Sequence, residues 1–207
     1  MTLQDAIAAI EDRLGQRTEL DAAIKRELGL SQTFFESRGS LPWFLVRRTS
    51  SSVGGQTLAL PPDFLMEAPW EALLRLVRDN GTVIDLVKVE MHEIADRRGS
   101  VAGEPSYYVL EVGSVFLVPA PDTTYDVELT YLAKDTAIES LAPGGTNKWL
   151  TYAPLLLVNH AGFKVASHLR SMETAQLFMA GVQEAEQAMW NKHYAMPMVA
   201  RGMALGG

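Results

Sequence analysis

The sequence predicts an α+β protein. Its expected plan is a helical bundle, made of an N-terminal helical hairpin and two long C-terminal helices. That bundle carries an antiparallel strand-rich insertion and ends in an extended C-terminal tail. Three observations lead there. Apolar residues recur at helical spacing before residue 36 and again after residue 150. Between these regions they form short runs or strict alternations, divided by Gly, Pro, Asn and Asp. The expected segments are 1–40, 41–148, 149–194 and 195–207.

The first segment reads as two helices. Thr2 can cap a helix with Asp5 three positions on, and Leu3, Ile7, Ile10 and Leu14 follow at helical intervals. Gly15 suits the left-handed position past its end. A second helix starts at Thr18, with Leu20, Ile24 and Leu28 repeating every four. Gly29 is expected to interrupt or end it, and Ser31 to restart a short turn through Phe34 and Phe35. Neither apolar stripe can be buried by the hairpin alone, so both must pack on later segments.

The second segment reads as strands. Trp43, Phe44, Leu45 and Val46 form a short apolar run, followed by an expected Ser- and Gly-rich loop over 49–56. Residues 57–60 suit a strand that Pro61 and Pro62 end. Runs at 74–77 and 83–87 flank Asp79-Asn80-Gly81, which points to a hairpin with a type I′ turn. Glu71, Leu73, Leu74 and Val77 tolerate the competing reading, a helix over 70–78. A short helix is expected over 89–98, then strands at 107–112, 115–118 and 125–133. In the last, Tyr125, Val127, Leu129 and Tyr131 alternate with Asp126, Glu128 and Thr130, which predicts one buried face and one wet, acidic face.

The third segment follows Pro143-Gly144-Gly145-Thr146-Asn147, expected to be a flexible linker. Over 150–169 the only formally charged residue is Lys164, and apolar residues lie almost all round. Such a helix is central, or is covered by another subunit. Thr151 is the expected cap, with Pro154 in the first turn. Ser171 opens a last helix with the stripe Ala175, Phe178, Met179, Val182, Ala185 and Met189, expected to end near Tyr194.

Composition narrows function. The 207 residues are 47% apolar and 21% charged, with a net charge of −7 and no cysteine. Disorder, disulfides, thiolate metal sites and a cysteine nucleophile are excluded. The acidic balance opposes a nucleic-acid-wrapping surface. Acids outnumber bases sixteen to ten over 29–149, so the acidity sits in the strand-rich segment. The first residues lack a basic region followed by an apolar run, and 150–169 is too polar to span a membrane.

Catalytic patterns are missing. His92, His160, His168 and His193 make no helical metal pair; His160 and His168 share a face with Lys164 between them. There is no G-x-S-x-G elbow, and the Gly-rich run ending at Lys148 is followed by Trp149 where a phosphate loop needs Ser or Thr. Asp126 and Glu128 could mimic a glycosidase pair but read as a solvated strand face. Trp43, Phe44, Tyr107 and Tyr108 do not interleave with bases, and Arg47-Arg48 and Arg97-Arg98 read as solvated loop charges. No catalytic residue, metal or cofactor is expected.

The order of these elements resembles the head-to-tail adaptors of tailed bacteriophages, also called connector or head-completion proteins. The residues that carry the likeness are Leu41-Pro42-Trp43-Phe44-Leu45, Leu58-Ala59-Leu60-Pro61-Pro62-Asp63-Phe64-Leu65 and Ser106-Tyr107-Tyr108. They continue with Val115-Phe116-Leu117-Val118-Pro119-Ala120-Pro121-Asp122, Tyr125-Asp126-Val127-Glu128-Leu129-Thr130-Tyr131, and the helix start Trp149-Leu150. The resemblance implies a non-enzymatic ring, typically of twelve subunits, beneath the portal protein in the virion neck, assembled in the host cytoplasm. Such a ring extends the channel for packaged DNA without reading its sequence, offers a platform for the next tail or neck protein, and involves no membrane. It implies a portal contact through the tail, at Tyr194, Met196, Pro197, Met198, Arg201 and Met203. Leu155, Leu156 and Phe163 on the apolar helix are the expected subunit interface. Another neck or tail-completion ring protein, or an unrelated α+β binding module, are the alternatives.

Overall fold

A computed structural model of the chain describes residues 1–38, 42–97 and 101–204, with side chains described except at 95–97 and 193–204. The fold is α+β, with N-terminal helices, central strands and two long C-terminal helices packed together. It divides into two compact units: Met1–Leu45 with Asp135–Gly207, and Val46–Lys134.

The first unit is helical. Helix α1 (Leu3–Leu14) opens on the expected capping box: the Thr2 hydroxyl accepts the Asp5 amide at 3.2 Å, and the Asp5 carboxylate accepts the Thr2 amide at 2.9 Å. Gly15, at φ 85°, ends it in the left-handed conformation. A 3₁₀ turn over Thr18–Leu20 precedes helix α2 (Asp21–Glu36), so the second helix starts three residues later than its sequence suggests. It also runs straight through Gly29 and Ser31. Gly29 is buried there, and the Glu139 carboxylate occupies the space beside it. The Ser31 hydroxyl donates to the Glu27 carbonyl within the helix, at 2.7 Å, instead of starting a new one.

The run 143–147 is a helix cap rather than a flexible linker. The Leu3 and Gln4 amides, unpaired at the start of α1, donate to the Gly145 and Pro143 carbonyls at 2.9 Å each. The Thr146 hydroxyl donates to the Met1 carbonyl. Helix α3 (Lys148–Tyr152) follows, capped by Asn147, whose side-chain oxygen accepts the Leu150 amide at 2.9 Å. Thr151 is therefore inside a helix and not its cap. Helix α4 (Pro154–His168) has Pro154 in its first turn, where the missing N–H costs nothing. It buries Leu156, Leu157, Val158, Ala161, Val165 and Ala166 against α1, α2, α3 and helix α5 (Met172–Ala204). Helix α5 buries Ala175, Phe178 and Val182 and continues beyond Tyr194.

The second unit is β-rich. A five-stranded sheet has the order β1 (Val46–Val53), β9 (Tyr125–Ala133), β4 (Leu74–Val77), β5 (Val83–Asp85), with β3 (Phe64–Glu67) also on β9. A four-stranded sheet runs β2 (Thr57–Ala59), β8 (Ser114–Val118), β7 (Tyr107–Glu111), β6 (Val87–Lys88). All pairings are antiparallel except β6 with β7. The core lies on the inner sides of Leu74, Leu76, Tyr108, Val115, Leu117, Val127 and Leu129. A 3₁₀ segment, Met91–Arg97, occupies most of the expected short helix.

Three strand readings change. Residues 49–53 belong to β1, whose Ser and Thr side chains sit on an exposed strand held by an eight-residue register with β9, from Val46–Leu132 to Val53–Tyr125. The stretch 70–78 holds no helix: Leu74–Val77 is strand β4 and the residues before it are turn and bend. The turn after it is not type I′. The Gly81 amide donates to the Arg78 carbonyl, only Gly81 has positive φ (79°), and the Asn80 side chain accepts the Thr82 amide at 2.9 Å. This is a type I turn followed by a left-handed Gly, the three-residue hairpin loop. On β9 the alternation holds as far as Leu129; beyond it Thr130, Tyr131, Leu132 and Ala133 are all buried.

Candidate functional site

Among the described residues, no group of three or more His, Asp or Glu could hold a metal ion. His92 and His168 are exposed, and His193 lies outside the residues with described side chains. His160 is buried: Phe34 stacks on its ring at 4.8 Å and Phe35 meets it edge-on at 5.1 Å. Its Nδ1 lies 2.8 Å from the Ser31 hydroxyl oxygen. That hydroxyl gives its own proton to Glu27, so Nδ1 carries the hydrogen and donates. Burial, then Lys164 and Arg38, hold the imidazole below its ordinary value.

Several charged side chains of the β unit pair with one another. Arg47 pairs with Asp63, which also accepts the Tyr131 hydroxyl at 3.0 Å. Arg48 makes two hydrogen bonds to Glu71, at 2.7 and 2.8 Å, and Arg75 pairs with Asp85 at 2.8 Å. Arg47 and Arg48 are thus strand residues in ion pairs rather than loop charges. Of Arg97 and Arg98, the first has no described side chain and the second lies outside the described residues. Asp126 accepts the Ser52 hydroxyl at 2.6 Å, while Glu128 stands opposite Arg75 in the β4–β9 ladder. Burial raises the Tyr108 phenol, and its hydroxyl donates to Glu67 at 3.0 Å. These are structural pairs on a sheet, and Asp126 also lines a surface hollow of about 420 Å³ with Arg78, Asp79, Glu104 and Tyr125.

In the helical unit the Pro-Trp motif has a structural role. Phe44 meets Trp149 edge-on at 5.1 Å and stacks with Tyr152 at 5.5 Å, while Trp43 contacts Tyr152 at 5.2 Å. Leu41, at the head of the motif, lies outside the described residues. The buried Trp149 indole donates to Glu36 at 2.9 Å, and the Trp149 amide donates to Asp135 at 3.1 Å. Gln32 accepts the Ile138 amide, and Asn147 donates to Gln32 and to the Thr136 carbonyl. This satisfied network fixes the point at which the chain re-enters the helical unit. Beside it, a groove of about 230 Å³ runs between α2 and α5, lined by Phe35, Arg38, Pro42, Trp149, Met189 and Trp190.

The helical unit exposes several apolar side chains among its polar ones. Leu155 is 56% exposed, Phe163 is half-buried with the Lys164 ammonium 5.5 Å from its ring centre, and Leu156 is inside the bundle. The side chains of Tyr194, Met196, Pro197, Met198, Arg201 and Met203 lie outside the described residues. Leu30, Phe34, Met172 and Leu177 are also exposed. A family model described as SU10 adaptor protein matches residues 1–201. The chain belongs to that family, a family of phage structural adaptors. No curated protein matches the chain.

The adaptor's apolar surface was only partly legible beforehand. Leu155 and Phe163 stand out because 150–169 carries too few polar residues to cover a helix. Leu30 is not on the expected stripe, and Phe34 is expected in a short turn; both lie off the Leu20, Ile24, Leu28 stripe, on the opposite side of α2. Apolar residues on the wet side of an amphipathic helix were the available signal. No helix among the described residues is long and apolar enough to cross a membrane.

Proposed function

We propose that the adaptor forms a ring, of twelve copies in the typical arrangement, beneath the portal protein in the virion neck. The ring extends the DNA channel and provides the platform on which the next tail or neck protein docks. The family match over residues 1–201 carries this reading. The exposed apolar residues of the helical unit supply what a ring needs, with Leu155 and Phe163 on α4 in the subunit contacts and Leu156 supporting them from the core. A net charge of −7 suits a passage through which DNA slides without adhering. The portal contact is assigned to Tyr194, Met196, Pro197, Met198, Arg201 and Met203, because flexible Met side chains adapt to an irregular partner surface.

Mixing the full chain with the portal of the same phage tests it. The expected product is a complex whose mass corresponds to a ring of adaptors on the portal, lost when residues 195–207 are deleted. Normal assembly by the truncated chain would refute the tail assignment. Failure of the full chain to join the portal would refute the ring.

A further inference from the structure

The helical unit has two different exposed faces that match each other. On α2, Arg26, Leu30 and Phe34 follow at intervals of four and form one ridge, and Arg38 follows two residues past the helix end at Glu36. Their side chains face solvent: Arg26 is 65% exposed and Arg38 48%, and Leu30 and Phe34 are exposed between them. The ridge is therefore apolar in the middle and cationic at both ends.

On α5, Glu173, Leu177, Ala180 and Glu184 share the face opposite the buried Ala175, Phe178 and Val182, and all four are exposed. Leu177 is 68% exposed. This second ridge is apolar in the middle and anionic at both ends, and no Lys or Arg occurs between Ser171 and Asn191. At 1.5 Å per residue, Arg26 and Phe34 are about 12 Å apart along α2, with Arg38 just past its end, and Glu173 and Glu184 are about 16 Å apart along α5.

We infer that the α2 ridge of one copy packs on the α5 ridge of the next, with Leu30 and Phe34 against Leu177 and the two arginines against Glu173 and Glu184. Matching faces on the same surface patch would give an isologous dimer. Two distinct faces make a head-to-tail contact, which closes into a ring when the rotation permits. The inference rests on the ring reading and specifies its interface. The charges used within the chain do not exhaust the ridge. Arg38 donates to Glu186 through one nitrogen, at 2.8 Å, and keeps its other N–H groups, while Glu186 projects from the other side of α5 from Glu184. Arg26 reaches its neighbour Glu27 at 3.1 Å.

Charge reversal provides the test, in full-length chains assembled on the portal and read by the mass of the complex. Arg26→Glu with Arg38→Glu is expected to lower assembly at least tenfold, and so is Glu173→Arg with Glu184→Arg. The chain carrying all four changes is expected to regain assembly to within about threefold of the parent, which loss of the Arg38–Glu186 pair inside a chain could not produce. Leu177→Asp is a fold-neutral companion, expected to block assembly while leaving the thermal melt unchanged. If the parent chain forms the ring and the reversed pairs assemble equally well, or the fourfold variant stays as defective as either pair, the α2–α5 contact is wrong and the ring stands. If the parent chain forms no ring, both fall.

Discussion

Gly162 on α4 holds its place because Phe178 of α5 occupies the space a side chain would need. A Cβ there would enter the van der Waals surface of the Phe178 ring, which is itself fully buried and cannot swing aside. Gly162→Ala should cost about 1–3 kcal/mol, the usual range for overpacking a core, despite alanine's better helix propensity. A lowered urea midpoint at unchanged slope would establish it, and an unchanged midpoint would contradict it. His160 gives a pH signature of definite sign. Its folded value is depressed by burial, so the neutral form is the native one. Stability is full above the ordinary value of 6.5 and declines below it, as the unfolded chain takes up a proton that the native one refuses. Arg38, Lys164, Glu27 and Glu186 surround the ring and do not reverse that sign. Glu11 acts oppositely, because hydrogen bonding to Asp21 raises its carboxyl, so its contribution is present at low pH and lost as pH rises through the raised value. Denaturation midpoints at pH 7.5, 6.5 and 5.5 should fall in that order for the parent, and His160→Gln, whose amide can still donate to Ser31, should flatten the decline.

At the scale of elements, local chemistry was readable where one residue decides the outcome and unreadable where a distant partner does. Thr2, Asp5 and Gly15 bound α1 by hydrogen bonds and a backbone conformation that lie within a few residues, and the sequence states them directly. The strand character of 49–53 is imposed by β9, some eighty residues away, on a Ser-rich segment with no alternation of its own. The cap that 143–147 supplies to α1 comes from still further along the chain, and backbone carbonyls that accept from amides leave no mark on residue type. The β4–β5 turn shows the narrower error: Asn80-Gly81 signals a hairpin in either geometry, but which residue adopts positive φ depends on loop length. The two geometries predict different mutants. With Gly81 alone in the left-handed region, Gly81→Ala should lose about 1 kcal/mol. Asn80→Gly should also destabilise, by about 0.5–1 kcal/mol, through lost backbone restriction and the lost Thr82 contact, whereas a type I′ turn would welcome it. Thermal melts of both variants decide the matter; a stabilised Asn80→Gly would restore the type I′ turn.

For the whole molecule, helix and strand regions were legible because the apolar period changes from about 3.6 to 2 and back, which only two kinds of packing produce. The adaptor surface was less so, since a sequence records that Leu155 and Leu177 are apolar but not that one neighbouring position is buried and the next bare. The two-unit division carries a stronger consequence. The β unit enters at Val46 and leaves at Lys134, and Val46 pairs directly with Leu132 in the β1–β9 ladder. Its two ends therefore emerge as adjacent strands, roughly 5 Å apart at the paired residues. On the other side of the junction, Phe44 and Asp135 are both held by Trp149, through the ring contact and the amide hydrogen bond. A helical unit whose open ends are pinned to one tryptophan does not need the strands to keep them together. Replacing 46–134 with a Gly-Ser linker of about six residues should leave a folded helical protein with a cooperative melt, because such a linker spans the short gap easily. Trp149 should keep the emission of a buried indole. Adding Trp149→Phe to the shortened chain should then cost about 1–3 kcal/mol, since Glu36 loses its indole donor in a buried network. A shortened chain that shows no helical signal, or melts without cooperativity, would mean that the helical unit depends on the β unit for its fold.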